Sequence, residues 1–221
     1  CALPISNFDS LVTVSTDSTR TNPVKINLRA GEKLKLRDLI TAMLIMSAND
    51  AAHQVAEYFG DGSVRNFVAM MNDKAAEIGM TSSHFVNPNG LPIYGKTRED
   101  TQMNMASPLD MVTLAEHAGV YPQIREWTGR RQLDYRQGTP AYRVINNTNR
   151  LLGTVAGTDG IKTGYTDAAR HCLMFSAERN GRRLVGVALG FEVRDELFGF
   201  SSRALEWGFN RIGVAPETRN P

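Results

Sequence analysis

The spacing of apolar positions along the chain first predicts helices. Leu36, Leu39, Ile40, Met43 and Leu44 recur at the period of an amphipathic helix, which should end near residue 47. Serines at helix starts and glycines just beyond helix ends mark further helices. These are expected over residues 51–59, 63–78, 107–119 and 194–209.

Apolar runs with β-type composition predict strands, mostly later in the chain. They cover residues 11–14, 24–28, 171–177 and 183–189, with a strand-like, turn-rich stretch from 131 to 152. Asn180-Gly181 between two of these runs predicts a tight hairpin. Because helices dominate the first half and strands the second, we expect an α+β fold in which helices cover an antiparallel sheet.

Composition and charge exclude several functional classes. The chain has 221 residues, of which 42% are hydrophobic and 22% charged, and its net charge is +2. This balance gives no electrostatic case for nucleic-acid binding, and no apolar stretch is long enough to span a bilayer. Cys1 and Cys172 do not make a disulfide framework. The four histidines form no recognisable metal motif, so we expect neither a metal nor another cofactor.

The triplet Lys162-Thr163-Gly164 is the strongest candidate for chemistry. On a strand, Lys162 and Gly164 should face one way and Thr163 the other. The lysine supplies a positive charge, the threonine a hydroxyl, and Gly164 leaves room for an extended substrate. The backbone N–H of Tyr165 can serve an oxyanion. The competing interpretation is a surface strand that holds the triplet by chance.

Ser47-Ala48-Asn49 stands between two predicted helices, and its local interpretation is a helix cap. Its functional interpretation is that Ser47 relays a proton to a leaving nitrogen. Asn49 would then bind a substrate amide or orient the base.

The order Ser-x-Asn and then Lys-Thr-Gly resembles the low-molecular-mass penicillin-binding proteins, the serine D-alanyl-D-alanine carboxypeptidases. The likeness spans nearly the whole chain. Further matching segments are Gly31-Glu32-Lys33-Leu34, residues 84–91, residues 147–152 and Leu205-Glu206-Trp207-Gly208-Phe209.

The resemblance implies a penicillin-binding/β-lactamase-like transpeptidase fold and a serine D,D-peptidase that removes the terminal D-alanine of peptidoglycan stem peptides. It implies catalytic roles for Ser47, Asn49 and Lys162, and substrate binding by Thr163, Gly164 and Tyr165. β-Lactams would be inhibitors, and the location would be the periplasm or the outer cell envelope, with any membrane contact made by segments outside this sequence.

The chain also departs from the family, because it contains no Ser-x-x-Lys, the motif that carries the nucleophile. We therefore expect a fold that is incomplete at the N-terminus and leaves an unpaired apolar sheet edge. The expected organisation is a non-native leader at 1–6, a partial catalytic domain at 7–213 and a tail at 214–221.

A second departure concerns specificity. Thr148 and Leu197 stand where some family carboxypeptidases hold the terminal carboxylate with arginines, whereas Arg150, Arg170 and Arg194 are out of register. A D,D-endopeptidase acting on cross-links and a non-catalytic homologue that binds peptidoglycan or β-lactams therefore remain alternatives. A β-lactamase ranks below both, since neither Glu116 nor Glu126, between the motifs, lies in a recognisable pattern.

Overall fold

The computed structural model describes residues 7–21 and 23–214. The predicted leader and almost all of the predicted tail lie outside these residues, so the proposed division of the chain stays a prediction. Within these residues the α-helices are α1 Leu36–Met46, α2 Asn49–Phe59, α3 Val64–Glu77, α4 Pro108–Gly119, α5 Pro122–Gly129 and α6 Arg194–Arg211. The seven strands in the described ranges are β1 Leu11–Thr13, β2 Lys33–Lys35, β3 Gln132–Tyr135, β4 Arg143–Asn146, β5 Thr158–Thr166, β6 Arg170–Arg179 and β7 Arg182–Phe191.

One core surrounds α1, in which no residue is exposed. Leu36 and Leu39 of its predicted apolar face are fully buried, and so is Ile45, which the periodicity did not include. They pack with α2, with β1 and with the β3–β4 hairpin. This helical core holds the end of α1, where Ser47 lies, in a fixed position.

A second core is built on the antiparallel sheet β5–β6–β7. Helix α6 covers one face with Leu197, Leu205 and Phe209, and α4 packs on the other. The predicted hairpin joins β6 to β7, with Asn180 and Gly181 both at positive φ (50° and 70°) as this turn requires. Among residues 7–21 and 23–214, β7 pairs with no strand other than β6.

The strand predicted at residues 24–28 is wrong. This segment is irregular because its backbone groups bond to the start of α2 and not to a neighbouring strand. The N–H groups of Ile26 and Leu28 donate to the Asp50 carboxylate (3.0 and 3.1 Å), and Asn27 between them has a left-handed φ of 55°. The sequence analysis also missed α5 and β2. The helices that it did predict are all present, within one or two residues of their expected bounds.

Candidate active site

Ser47 and Asn49 lie at the sharp junction between α1 and α2. Ser47 ends α1 in the left-handed conformation (φ 61°, ψ 39°), and its N–H donates to the carbonyl of Ala42. Asn49 begins α2, is buried, and donates its backbone N–H to the carbonyl of Val24 (2.8 Å). The motif is therefore a helix boundary, as its local interpretation predicts, and it also presents the Ser47 hydroxyl to β5.

Asp50 stabilises this junction through the hydrogen bonds of its buried carboxylate. Its carboxylate is fully buried and accepts backbone N–H groups from Ile26, Leu28 and its neighbour Ala51 (2.9–3.1 Å). A buried carboxylate needs several such donors to offset the loss of hydration. Asp50 thereby ties residues 24–28 to the start of α2. The sequence feature that could have pointed to Asp50 is its position directly after Ser-x-Asn.

Lys162 lies on β5 opposite Ser47. Its Nζ donates to Ser47 Oγ and also to the carbonyl oxygen of Thr163 (2.7 Å), so the side chain folds back along its own strand. Burial lowers the pKa of Lys162 to about 8 because removal from water penalises the charged form. The lysine therefore carries a positive charge at neutral pH and loses it as the pH rises past about 8.

Thr163 contacts the same end of α1 through Thr148. The Thr163 and Thr148 hydroxyls are 2.6 Å apart, and Thr148 bonds the carbonyl of Ile45 with both its N–H (2.8 Å) and its hydroxyl (3.1 Å). Simple strand alternation placed Lys162 and Thr163 on opposite faces, yet both reach the C-terminal end of α1. The long lysine side chain makes this possible by bending round the strand.

Gly164 and Tyr165 follow on the exposed part of β5. Gly164 pairs with Cys172 on β6, and Tyr165 pairs with His171. Tyr165 as a whole residue is 54% exposed, and its ring rests against the His171 ring at 4.6 Å between centroids. Cys172 is only half-buried, and its Cβ lies 3.9 Å from the position that a Cβ on Gly164 would take.

A charged cluster that the sequence did not predict supports the start of β5. The Asp159 carboxylate accepts from Ser176 Oγ (2.6 Å) and from the Arg183 guanidinium, which also donates to Ser176 Oγ (2.9 Å). Thr128 of α5 donates its hydroxyl to the Asp159 carbonyl (2.9 Å). These bonds link β5, β6, β7 and α5 at Asp159, three residues before Lys162. No local sequence motif predicts them.

The arginines that the family alignment left out of register have separate partners. Arg150 pairs with Asp195 (2.6 Å), and Arg170 pairs with Glu192 (3.3 Å), both pairs being exposed. Arg194 instead donates to the carbonyl of Thr148 (3.2 Å), next to the Thr148–Thr163 contact. Leu197 is buried in the sheet core.

Within the described residues, no group of three or more His, Cys, Asp or Glu side chains is placed to hold a metal ion. In the same part of the chain, none of the helices is both long enough and apolar enough to cross a membrane.

The known proteins that resemble this chain in sequence are D-alanyl-D-alanine carboxypeptidases. The chain is 32% identical over 192 residues to the D-alanyl-D-alanine carboxypeptidase DacF of Bacillus subtilis, and the match covers 87% of this chain and 47% of DacF. It is 30% identical to DacB2 of Mycobacterium tuberculosis over 94% of this chain and 69% of the relative. The chain thus spans about half the length of DacF.

Solved structures give the same result. A D-alanyl-D-alanine carboxypeptidase from M. tuberculosis superposes with a TM-score of 0.83 at 28% identity, over 96% of this chain and 77% of that one. Penicillin-binding protein D2 from Listeria monocytogenes, solved with bound ampicillin, gives 0.76 at 30% identity, over 92% and 78%. The α+β architecture is therefore the fold of the penicillin-binding D,D-peptidases, as the sequence predicts.

The family model that matches the chain is described as D-alanyl-D-alanine carboxypeptidase, and it covers residues 3–192. Since this match takes in β1 to β7 and five of the six helices, together with Ser47 and Lys162, the chain belongs to the D-alanyl-D-alanine carboxypeptidase family.

Proposed function

We propose that the chain carries two of the three motifs of a serine D,D-peptidase that removes the terminal D-alanine of peptidoglycan stem peptides. The observation that carries the proposal is the hydrogen bond from Lys162 to Ser47, which joins the two motifs across 115 positions of sequence. A chance triplet on a surface strand has no reason to meet the other motif.

The proposed roles follow from where each group lies. Ser47, held in a fixed conformation and bonded to a lysine, relays the proton that the leaving nitrogen receives. Lys162 supplies a positive charge that depends on pH near neutrality, and the buried Asn49 orients the substrate or the base. Thr163 offers its hydroxyl to the substrate, and Gly164 leaves the strand open beside it. The Tyr165 N–H forms half of an oxyanion hole.

The nucleophile comes, in this proposal, from a Ser-x-x-Lys outside these 221 residues. Its serine oxygen attacks the carbonyl carbon between the two D-alanines, and its proton passes through the base and Ser47 to the departing amine. The C–N bond breaks, D-alanine leaves, and an ester joins the remaining peptide to the serine. Water then attacks this ester and restores the free serine.

Arg194 favours a carboxypeptidase over an endopeptidase. Thr148 and Leu197 replace the arginines that hold the terminal carboxylate in some relatives, but the Arg194 guanidinium lies on the Thr148 carbonyl. Thr148 in turn contacts Thr163. We propose that Arg194 supplies the positive charge that attracts the free carboxylate of a terminal D-alanine, which an internal cross-link lacks.

The related Listeria protein was solved with ampicillin and with cefotaxime, so we propose that the complete protein is inhibited by β-lactams. Its substrate would place it at the bacterial cell envelope, outside the cytoplasm.

The test starts with the coding sequence that precedes residue 1. The complete protein, the 221-residue chain and a Lys162→Ala variant of the complete protein would be compared. Two readouts serve: labelling by a fluorescent penicillin, and D-alanine release from a diacylated Lys-D-Ala-D-Ala peptide.

We expect labelling and release by the complete protein only, with both rates reduced at least 100-fold in the variant. Absence of Ser-x-x-Lys from the complete protein, or labelling of the 221-residue chain by itself, would contradict the proposal.

A further inference from the structure

A cavity of about 700 Å³ opens between the β3–β4 hairpin and the segment 147–152, and the proposed reaction does not use it. Arginine and amide side chains provide most of its lining, including Arg130, Arg131, Arg150, Gln132 and Asn146. No carboxylate lines it. Three guanidinium groups therefore lie around one recess.

The three arginines are not equally engaged. Arg130 pairs with Glu126 and Arg150 with Asp195, both on the outside of the cavity. Arg131 forms no ion pair with any residue in the described ranges. A Cβ atom placed on Gly153 would come within 2.9 Å of its Cζ, so the Arg131 guanidinium rests directly against this glycine. Arg131 is therefore an exposed cation that rests against Gly153 and has no ion-pair partner among the described residues.

Asn147 makes the floor of the cavity rigid. Its Nδ2 donates to the carbonyls of Thr128 (3.0 Å) and Arg130 (2.8 Å), and its backbone N–H donates to the carbonyl of Arg131 (2.8 Å). The backbone that carries Arg130 and Arg131 is thus fixed by hydrogen bonds, so the base of the Arg131 side chain has a defined position beside the cavity.

The lining selects among anions. A guanidinium binds oxyanions with two parallel N–H donors, and a phosphate monoester brings nearly two negative charges and three acceptor oxygens. Since Glu126 and Asp195 already pair with Arg130 and Arg150, Arg131 is the guanidinium left for a ligand, and a phosphate monoester can accept two of its N–H groups while a third oxygen faces the neighbouring amides. Neutral amides such as Gln132 and Asn146 can donate to and accept from hydroxyl groups. The volume exceeds that of a phosphate ion and is in the range of cavities that hold small organic ligands.

We propose that this cavity is a second binding site, distinct from the peptidase site, for a phosphate ester of a polyol. Arg131 binds the phosphate and the amides bind the polyol hydroxyls. The ligand can be a free phosphorylated polyol or one unit of a polyol-phosphate polymer, because both present the same groups.

Calorimetric titration of the 221-residue chain with sn-glycerol 3-phosphate tests the proposal, with glycerol and inorganic phosphate as comparison ligands. We expect saturable binding of the ester, weaker binding of phosphate and none of glycerol. Arg131→Gln should weaken ester binding about tenfold, the loss of one charge-assisted bond. The matched control is Arg65→Gln on α3, which removes an exposed arginine that is far along the chain and outside the cavity lining.

Circular dichroism establishes that each variant is folded. If Arg131→Gln does not fold, Asn146→Ala replaces it as the variant of the cavity lining, with the same expected loss of ester binding. Tighter binding of a poly(glycerol phosphate) chain than of the monomer, per phosphate, identifies a polymer, and equal binding identifies a free ester. Either result supports the site. Equal affinity of wild type and Arg131→Gln, or no saturable binding at 150 mM salt, overturns it. Neither outcome depends on peptidase activity.

Discussion

At the α1–α2 junction, Asp50 is fully buried, and all the hydrogen bonds that its carboxylate accepts from the described residues come from backbone N–H groups. Under β5, Asp159 is about a quarter exposed in its side chain and accepts only from side chains, Ser176 and Arg183. The two carboxylates support the two sides of one site, yet water and salt reach only the second. The Ser47 side should therefore respond to changes in buried hydrogen bonding, and the Lys162 side to pH and ionic strength.

The largest effect is expected from Asp50→Ala. Two long-range backbone N–H groups, from Ile26 and Leu28, would lose their acceptor in a buried position, so the free energy of unfolding should fall by about 3–5 kcal/mol. Urea unfolding of the chain measures this. Asp50→Asn keeps one acceptor oxygen, so its free energy of unfolding should lie between those of the wild type and Asp50→Ala. A loss under 1 kcal/mol in Asp50→Ala would mean that water replaces the carboxylate and that the junction is not sealed.

Lys162 should make stability depend on pH on the other side of the site. Its pKa is lowered to about 8 in the folded chain from an ordinary value of 10.5, so between these values the unfolded state binds more protons. Stability should therefore rise as pH increases from 8 to 10.5, by at most about 3 kcal/mol, whereas below pH 8 this contribution is constant.

Lys162→Met should remove that rise, and Lys33→Met, at an exposed strand position, should leave it intact. Urea unfolding of all three proteins at pH 7, 9 and 10.5 makes the comparison. A rise of the same size in Lys162→Met would assign it to another group.

A smaller effect is expected from Arg183→Ala, because its ion pair with Asp159 is partly exposed and water screens it. We expect a loss of about 1–2 kcal/mol in the free energy of unfolding, and a smaller loss in 1 M salt. Arg182→Ala, the exposed neighbour, is the control and should be neutral. If salt does not change the difference between Arg183→Ala and wild type, the bond to Ser176, and not the charge pair, supports β5.

The smallest effect isolates the backbone at Ser47. Ser47→Ala and Ser47→Gly both remove the hydroxyl that contacts Lys162, but only glycine adopts the left-handed conformation without a Cβ clash. Ser47→Gly should therefore be more stable than Ser47→Ala by about 1 kcal/mol in thermal unfolding. The reverse order would show that the junction relaxes once the hydroxyl is removed.

The same contrast explains how much the sequence could predict. Periodicity and local turn chemistry gave α1, the α1–α2 boundary and the Asn180-Gly181 hairpin, because these depend on neighbouring residues. They failed at residues 24–28, where a side chain 22–24 positions away takes the backbone hydrogen bonds. The motif residues could be named from their order. The contacts of Arg183 and Thr148 could not be predicted, since their partners are set by the packing of strands and helices that are distant in sequence.

The Lys162–Ser47 contact also has a consequence for how the chain folds. It closes a loop of 115 residues, whereas the β6–β7 hairpin closes across two. Loop-closure entropy delays contacts between distant parts of the chain until much of the structure is in place. We expect the Lys162–Ser47 contact to form after the folding transition state, so that its loss accelerates unfolding and leaves the refolding rate nearly unchanged.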